Sequence, residues 1–381
     1  MQKPTYLDYN AGAPLTPAAR AAMVEALAVA GNPSSVHAFG RAARRIIEAA
    51  RRDVARLLNA PPHTVIFTSG ATEANNAALK APEPGRVLVS AIEHPSILAA
   101  APHAQRLPVL PSGVVDLAAL EDALAGPEPA ELVAVMAVNN ETGVIQPIEA
   151  VAALARRFGA RLHVDAVQAA GRIAIDMQHL GVASMSLSAH KLGGPQGAGA
   201  LVLLDDARFR PLIKGGGQER SRRAGTENVA AIAGFAAAAR EATGLEEPAL
   251  LAPLRDRLEG LITTLVPETV VIAAASPRVA NTTCLSLPGV RAETLVIALD
   301  LEGYAVSAGA ACSSGKVKAS DVLQAMAVGP EVAAGTVRVS LGWATDGAAV
   351  EGFANAWARV AARLVPHRGG DDARLPAAGR G

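Results

Sequence analysis

A single lysine follows an apolar segment and precedes a turn in the middle of the chain. Residues 183–187 form an apolar, strand-like run, Lys191 comes four residues later, and Gly193, Gly194 and Pro195 then turn the chain. A lysine at the end of a buried strand can lose its hydration, which favours the neutral amine that attacks carbonyl groups. The most economical use of such an amine is a Schiff base with pyridoxal phosphate (PLP). The alternative is an ordinary solvated lysine in a loop.

Hydroxyl, imidazole and carboxylate groups that suit the same cofactor lie beside this lysine and on a strand upstream. Ser188 and His190 are donors that could contact the cofactor. Residues 161–168 have the pattern of a short buried strand that presents Asp165 and Gln168 at its carboxyl end. A carboxylate there can keep the pyridine nitrogen of PLP protonated, although an aspartate at a strand end can also simply cap the next turn. Because the aspartate and the lysine both occupy strand exits, we interpret them as two parts of one PLP site.

A glycine-containing turn between a strand and a helix offers a place for a phosphate group. Residues 65–68 have the pattern of a strand, and the turn that follows contains Ala71 and Thr72 before a helical segment. Helix N-termini bind anions through unpaired backbone N–H groups and the helix dipole. We therefore expect this turn to bind the PLP phosphate with Thr72 as a ligand. The alternative is that Thr72 is an ordinary helix N-cap.

Two further strand exits end in polar residues that could reach a substrate. The strand at 86–90 leads to His94, whose imidazole could stack on the pyridine ring and transfer protons near neutral pH. A lone histidine is more often structural. The apolar strand at 132–138 leads to Asn140. Ligand-binding loops of an open α/β sheet lie outside the carboxyl ends of its strands, so both residues are candidates for the site.

The alternation of short strands and helices from residue 64 onward predicts an α/β fold with a mostly parallel sheet of about seven strands. A chain of 381 residues suits a large domain plus a smaller one. We expect an N-terminal arm at 1–15, a large PLP-binding domain at 16–250, a small α+β domain at 251–366 and a disordered tail at 367–381.

The expected small domain contains a run of small residues, a second cysteine and an arginine on a strand. Residues 307–315 are nearly all small and cannot pack a core, so we expect a mobile loop over 307–318. The thiolate of Cys312 could move on this loop between a site and a partner. Cys284, in an alternating strand, is expected in the core. Arg338 could grip a carboxylate with two nitrogen atoms, or form a surface salt bridge.

Composition argues against several classes of function. The 35 basic and 35 acidic residues cancel, so charge gives no reason to bind nucleic acid or an anionic membrane, and the arginines of a helix at 40–58 mostly indicate a solvated face. No run reaches the roughly 18 apolar residues of a membrane-spanning helix, and residues 1–9 lack the apolar core of a secretory signal, so we expect a cytoplasmic protein. Two cysteines are too few for a disulfide framework or a cysteine-rich metal site, and we expect no metal.

Seven short motifs stand in a fixed order along the chain. They are NPSSVH (32–37), TSGATE (68–73), EH (93–94), NNETG (139–143), HVDAVQ (163–168), SAHK (188–191) and GQER (217–220). As an ordered set, within a match from about residue 6 to 341, they resemble the cysteine desulfurases of the NifS and IscS type. The resemblance implies a homodimeric, fold-type-I PLP enzyme that removes sulfur from L-cysteine, releases L-alanine and holds the sulfur as a persulfide for an acceptor protein.

The resemblance also implies roles for individual positions. Lys191 is similar to the Schiff-base lysine, His94 to the stacking, proton-shuttling histidine, and Cys312 to the sulfur acceptor. The other matches are Asp165 and Gln168 for the pyridine nitrogen and ring oxygen, Ala71, Thr72, Ser188 and His190 around the phosphate, Thr226 from the neighbouring subunit, and Asn140, Arg338 and Asn10 for the substrate. In such a site Lys191 or His94 would move the α-proton of the PLP aldimine of cysteine, and the Cys312 thiolate would then attack the substrate sulfur.

Two rival functions share much of this pattern. A selenocysteine lyase, or another PLP carbon–sulfur lyase, would keep Lys191, Asp165 and His94 but could dispense with Cys312. A catalytically silent subunit or binding protein could keep the fold alone. The C-terminal tail does not resemble the segment with which housekeeping members dock their scaffold partner, so the sulfur acceptor stays open.

Overall fold

Apolar, β-branched segments alternate with alanine-rich helices along the chain and form three sheets with helices packed on them. The computed structural model describes residues 4–80, 85–206, 209–309 and 320–365. In these residues the strands are β1 (Thr5–Tyr6), β2 (Val65–Thr68), β3 (Arg86–Ser90), β4 (Gln105–Leu107), β5 (Ala130–Ala134), β6 (Arg161–Asp165), β7 (Ser184–Ser188), β8 (Gly199–Leu203), β9 (Val270–Val271), β10 (Thr282–Ser286), β11 (Tyr304–Ala305), β12 (Ser307–Ala308) and β13 (Thr336–Ser340). The helices are α1 (Pro17–Leu27), α2 (Ala38–Leu57), α3 (Ala71–Lys80), α4 (Pro95–Leu98), α5 (Leu117–Leu124), α6 (Ile148–Arg157), α7 (Met177–Leu180), α8 (Gln218–Ser221), α9 (Val229–Ala242), α10 (Glu246–Leu265), α11 (Ala292–Leu301), α12 (Asp321–Ala325), α13 (Pro330–Ala334) and α14 (Gly347–Leu364).

The largest sheet has seven strands in the order β2-β8-β7-β6-β5-β3-β4. Strand β8 runs antiparallel to β2 and β7, and the other neighbours pair in parallel. The α/β fold with a mostly parallel seven-stranded sheet is therefore as predicted. The carboxyl ends of β3, β5, β6 and β7 meet at one edge of this sheet, because parallel strands share a direction.

Two strands of this sheet differ from their predictions. The sequence does not predict β4, because Gln105 and Arg106 give it no apolar run. Strand β5 begins at Ala130 and its regular pairing ends at Ala134, whereas the prediction covered 132–138. The residues after it stay buried up to Asn139, and the backbone N–H groups of Val135 and Ala137 still donate to carbonyls of β6.

Helices α1, α2 and α9 pack together beside this sheet. The arginines of α2 are mostly exposed or half-buried, as expected of a solvated face, but Arg51 is buried. Its guanidinium binds both carboxylate oxygens of Glu219, at 2.6 and 2.9 Å, and lies 5.0 Å from the ring centroid of Phe67. The prediction is therefore wrong for Arg51, because a buried carboxylate distant in sequence neutralises it.

One large hydrophobic core packs on the seven-stranded sheet. A second core lies between helices α10, α11 and α14 and a four-stranded antiparallel sheet of order β12-β13-β10-β9. Trp357 is buried in it, and its indole donates to Thr269 at 2.9 Å. The N-terminal strand β1 pairs in parallel with β11, and Asp8 bridges to Ser340. The arm thereby runs from this second core towards the edge of the large sheet.

Some expectations fall on residues that the structure does not describe. Cys312, most of the predicted loop at 307–318 and the predicted tail at 367–381 lie outside the described residues. Ser307 and Ala308, at the start of that run, form β12 and pair with β13. Among the helices of the described residues, none has the length and apolarity to span a bilayer.

Candidate active site

A cavity of about 530 Å³ opens at the carboxyl edge of the large sheet. Its lining includes most of the residues singled out in the sequence: Asn10, Ala71, Thr72, His94, Asn140, Asp165, Gln168, Ser188, His190, Lys191 and Arg338. They come from seven separate parts of the chain, and the fold brings them together. Thr226 is not part of this lining, and Cys312 is outside the described residues.

Lys191 lies on a short 3₁₀ turn, Ala189–Lys191, directly after β7. Its Nζ atom donates to the backbone carbonyls of Asn10 at 2.6 Å and Ala11 at 2.8 Å, so the N-terminal arm holds the amine at the cavity. The turn that follows requires glycine. Gly193 has φ +78°, and a Cβ there would lie 2.5 Å from Thr16 Cγ2.

Asp165 ends β6 with a buried carboxylate in the cavity wall. Its Oδ1 accepts from the backbone N–H of Val167 at 3.0 Å, and its Oδ2 accepts from Asn75 Nδ2 at 2.8 Å. Two donors thus fix the carboxylate plane. Gln168, one turn further, donates its Nε2 to the carbonyl of Asn10 at 3.0 Å and accepts from Arg172.

His94 lies at the end of the loop after β3 and caps helix α4. Its Nδ1 accepts from the backbone N–H of Ser96 at 3.1 Å and lies 2.8 Å from the Ser96 hydroxyl. Burial lowers the pKa of His94; the nearby Asp165 carboxylate opposes this shift, and the Lys191 ammonium adds to it. The imidazole is therefore neutral near pH 7.

The turn expected to hold a phosphate lies between β2 and α3. Helix α3 begins at Ala71, so Thr72 is in its first turn and is not the N-cap. The backbone N–H of Ser69 donates to Glu73 at 2.8 Å, and Glu73 pairs with Arg223 at 3.0 Å. These contacts fix the turn whose helix N-terminus faces the cavity.

Ser188, the last residue of β7, and His190, on the 3₁₀ turn after it, line the same cavity as this turn. The Ser188 hydroxyl is 2.8 Å from Nδ1 of His190. Burial, followed by the positive charge of Lys191, lowers the pKa of His190 to about 4, so the ring is neutral and offers hydrogen bonds without charge.

Arg338 lines the cavity and is buried, which rules out a surface salt bridge as its role. It donates to Asp8 Oδ1 at 2.8 Å and to the carbonyl of Asn140 at 3.0 Å. Its buried Nε has no hydrogen-bond partner among the described residues. A guanidinium in a cavity wall suits a carboxylate ligand, which it can bind with two nitrogen atoms.

The side chain of Asn10 is engaged inside the protein. Its Nδ2 donates to Thr282 at 2.9 Å and its Oδ1 accepts from Asn281 at 3.1 Å. Asn10 is buried, and its backbone carbonyl receives the Lys191 amine. What Asn10 contributes here is this carbonyl and a fixed path for the arm.

Thr226 is the one candidate among the described residues that is placed apart from the main cavity. Thr226 borders a smaller depression of about 90 Å³, whose lining shares Ser69 and Gly197 with the main cavity. Helix α9 begins at Val229, three residues after Thr226, and the side chain of Asn228 caps it. Cys284 is in the core as predicted, and burial raises the pKa of its thiol, which makes it a poor nucleophile.

Sequence reasoning missed three residues that hold the site from behind: Asp8, Asn75 and Ser96. Asn75 is fully buried on α3, and Ser96 links it to His94. The sequence does contain a signal for Asn75, because this polar residue interrupts the alanine-rich face of α3 that is expected to be buried. Asp8 carries no comparable local signal.

Comparison with known proteins agrees with this arrangement. A family model described as aminotransferase class-V matches residues 5–353. A cysteine desulfurase of Cereibacter sphaeroides is 42% identical over 361 residues, which cover 91% of this chain and 92% of that protein. Among solved structures, a NifS-like protein from Rickettsia africae has a TM-score of 0.87 and 34% identity, covering 94% of this chain and 99% of that one. A structure of SspA in complex with cysteine has a TM-score of 0.78 and 28% identity, covering 88% of this chain and 98% of that one.

The chain therefore belongs to the class-V aminotransferase family, whose model matches most of its length. Within that family it belongs to the cysteine desulfurases, since relatives of that name are about 40% identical over most of both chains.

Proposed function

We propose that this protein is a PLP-dependent cysteine desulfurase that takes sulfur from L-cysteine and releases L-alanine. The observation that carries the proposal is the meeting of Lys191, Asp165 and the N-terminus of α3 in one cavity of a chain from this family. The SspA structure, a relative in fold, contains cysteine, which supports the choice of substrate.

The residues of the cavity fit PLP. Lys191 offers the amine for covalent attachment, the buried Asp165 carboxylate suits a protonated pyridine nitrogen, and the start of α3 with Thr72 suits a phosphate. Ala71, Gln168, Ser188 and His190 would complete the binding site. When bound, PLP supplies an electron sink that weakens bonds at the α- and β-carbons of an amino acid.

The other residues of the cavity orient the substrate and move its protons. We assign the substrate carboxylate to Arg338, a buried arginine that lines the cavity with Asn140 beside it. Lys191 Nζ and the neutral imidazole of His94 both line the cavity, and we assign to them the transfer of the α-proton.

We assign the sulfur to Cys312. In the net reaction the Cβ–S bond of cysteine breaks, an S–S bond forms to the Cys312 sulfur, and Cβ takes up a proton to give L-alanine. The described residues near Cys312 support this assignment. Ser307 donates to Asp8 at 2.6 Å and Ser320 donates to Glu141 at 2.6 Å, so both sides of the segment are anchored beside Arg338 and Asn140. Cys284 is buried in the core and cannot substitute.

The proposal includes three further points. The first is a homodimer in which Thr226 reaches the phosphate of the neighbouring subunit. The others are an acceptor protein for the persulfide sulfur and a cytoplasmic location. The shared border of the Thr226 depression and the main cavity supports the first point. The division into an arm at 1–15, a large domain at 16–250 and a small domain at 251–366 is proposed on the two largest hydrophobic clusters of the described residues, one on the seven-stranded sheet and one on the four-stranded sheet.

The test combines the bound cofactor with labelled sulfur. Purified protein given PLP should show a visible absorption band, and with ³⁵S-cysteine it should release L-alanine and retain label. Lys191→Ala should reduce alanine release at least about 100-fold, and Cys312→Ser should remove the retained label. Cys284→Ala is the matched control and should retain label.

Label retained by Cys312→Ser at the wild-type rate would contradict the role of Cys312. Alanine release from selenocysteine and not from cysteine would favour a selenocysteine lyase. The lack of any visible band after PLP addition would favour a silent subunit.

A further inference from the structure

Asn75 is a fully buried polar residue on α3 whose side chain contacts three residues of two other elements, Ser96 on α4 and both His163 and Asp165 on β6. Its Nδ2 donates to Asp165 Oδ2 and to the Ser96 hydroxyl, both at 2.8 Å. Its Oδ1 lies 3.1 Å from Nε2 of His163. Both hydrogen atoms of the amide and its oxygen are thus used, as a buried amide requires.

The Asp165 carboxylate decides which way the Asn75 amide points. An ionised carboxylate only accepts hydrogen bonds, so the NH₂ group must face it and the oxygen must face His163. His163 Nε2 therefore carries a hydrogen, and its Nδ1 accepts from the Ser184 hydroxyl at 2.8 Å. Burial lowers the pKa of His163 to about 3, so this neutral tautomer persists through the neutral pH range.

The Ser96 hydroxyl extends this hydrogen-bond network from Asn75 to His94. Its hydroxyl oxygen accepts from Asn75, so its single hydrogen is available for Nδ1 of His94 at 2.8 Å. The backbone N–H of Ser96 points to the same nitrogen at 3.1 Å. Nδ1 of the neutral ring is therefore an acceptor, and its proton resides on Nε2.

We propose that Asn75 is a positioning residue that fixes the Asp165 carboxylate and, through Ser96, the Nε2–H tautomer of His94, while His163 holds its amide in place. The inference rests on the proposed function, because it concerns the two residues assigned to the cofactor ring. Asn75 itself does not line the cavity, so it acts only through its neighbours.

Two variants separate the two connections. Asn75→Leu keeps the size of the side chain and removes the donor to Asp165; PLP affinity should fall about tenfold or more, since a hydrogen bond to a charged group is lost. Ser96→Ala leaves the contact between Asn75 and Asp165 in place, so affinity should stay within about threefold of wild type. Removing a donor to the neutral Nδ1 should raise the pKa of His94, which also faces Asp165 and Lys191. The acidic limb of the pH profile for alanine release should then move to higher pH.

The measurements are titration of the apoprotein with PLP, the pH dependence of the visible band, and the pH profile. Asn76→Ala is the control, because Asn76 is the next residue of α3 and, among the described residues, its side chain donates only to the Thr72 carbonyl of its own helix. It should match wild type in each measurement. Circular dichroism tests folding, and Asn75→Ala replaces the leucine variant if that does not fold.

Wild-type affinity and an unchanged band titration in the Asn75 variant would overturn this inference and leave the proposed function intact. Equal loss of affinity in Ser96→Ala would also overturn it, because the two connections would not be separate. Failure of the wild-type protein to bind PLP would overturn the proposed function together with this inference.

Discussion

The guanidinium of Arg338 donates to Oδ1 of Asp8 at 2.8 Å, although 330 positions separate the two residues in the chain. The other oxygen of Asp8 accepts from Ser307, and Arg338 also donates to the carbonyl of Asn140. One ion pair therefore connects the N-terminal arm, the second sheet and the loop after β5. Because Arg338 is buried, these partners determine the direction in which its remaining donors point.

Asp8→Asn should weaken substrate binding more than catalysis. The substitution removes the charge that balances a buried guanidinium, so Arg338 should lose its fixed orientation toward a carboxylate. We expect KM for cysteine to rise about tenfold with a smaller change in kcat, and the free energy of unfolding to fall by about 1–3 kcal/mol. Steady-state kinetics and urea unfolding measure both.

Glu351→Gln is the control for this variant. Glu351 pairs with Arg257, and both side chains are about half exposed, so the pair should contribute little. We expect unchanged kinetics and a change in unfolding free energy below about 0.5 kcal/mol. An Asp8 variant with unchanged KM would show that Asp8 does not orient Arg338.

Glu219→Gln should destabilise the protein by about 3 kcal/mol, because Arg51 stays charged and buried and loses the carboxylate that binds two of its nitrogen atoms. Among the described residues, the ion pair that Arg51 keeps is the longer contact of its Nε with Glu48 at 3.4 Å. Replacing both members by apolar residues, as in Arg51→Met with Glu219→Leu, should recover much of that loss. Urea unfolding of the single and double variants measures this. A double variant as unstable as the sum of its single substitutions would contradict the coupling.

Local sequence was sufficient to place Lys191, Asp165 and His94 at strand exits, because apolar runs that end in polar residues are visible within a few positions. The parallel sheet then brings such exits to one edge, whatever their separation in sequence. For this reason the residues that line the cavity could be predicted closely from the sequence. The buried polar contacts and the edge strand that support this arrangement could not.

The supports depend on partners distant in sequence. Arg51 looks like any other arginine of α2 until Glu219, 168 positions later, reaches it. Asp8 and Arg338 meet only when the arm lies on the second sheet. Strand β4 has a polar, three-residue sequence and exists because β3 offers it an edge. None of these follows from periodicity or local propensity.

Glu93→Gln should flatten the dependence of stability on pH. Burial raises the pKa of Glu93 from 4.5 to about 8, so the folded state binds this proton more tightly than the unfolded state does. Stability from this group is full below about pH 4.5 and is lost as pH rises to about 8. Glutamine stays neutral and can still accept from Ser90 and Met136. Over this pH range the free energy of unfolding of the variant should therefore rise relative to that of wild type by a few kcal/mol, at about 1.4 kcal/mol per pKa unit.

Urea unfolding of both proteins at pH 5.5, 7 and 8.5 tests this. Glu25→Gln is the control, because Glu25 is exposed on α1, and its curve should run parallel to that of wild type. Parallel curves for Glu93→Gln as well would refute the prediction.

Gly199→Ala should disturb the turn expected to hold the phosphate. A Cβ at Gly199 would lie 2.6 Å from Cα of Gly70 and 2.7 Å from the carbonyl of Leu187, so β8 and the turn after β2 would have to separate. Both of these contacts are with backbone and cannot move cheaply, so we expect a loss of about 1–3 kcal/mol in stability and weaker PLP binding.

Gly260→Ala is the control of opposite sign: its Cβ meets nothing within 4 Å, and it lies inside α10, where alanine should stabilise by about 0.5–1 kcal/mol. Thermal unfolding and PLP titration of both variants test this prediction. A Gly199 variant that gains stability, as the Gly260 variant should, would mean that β8 and the turn after β2 are not in close contact.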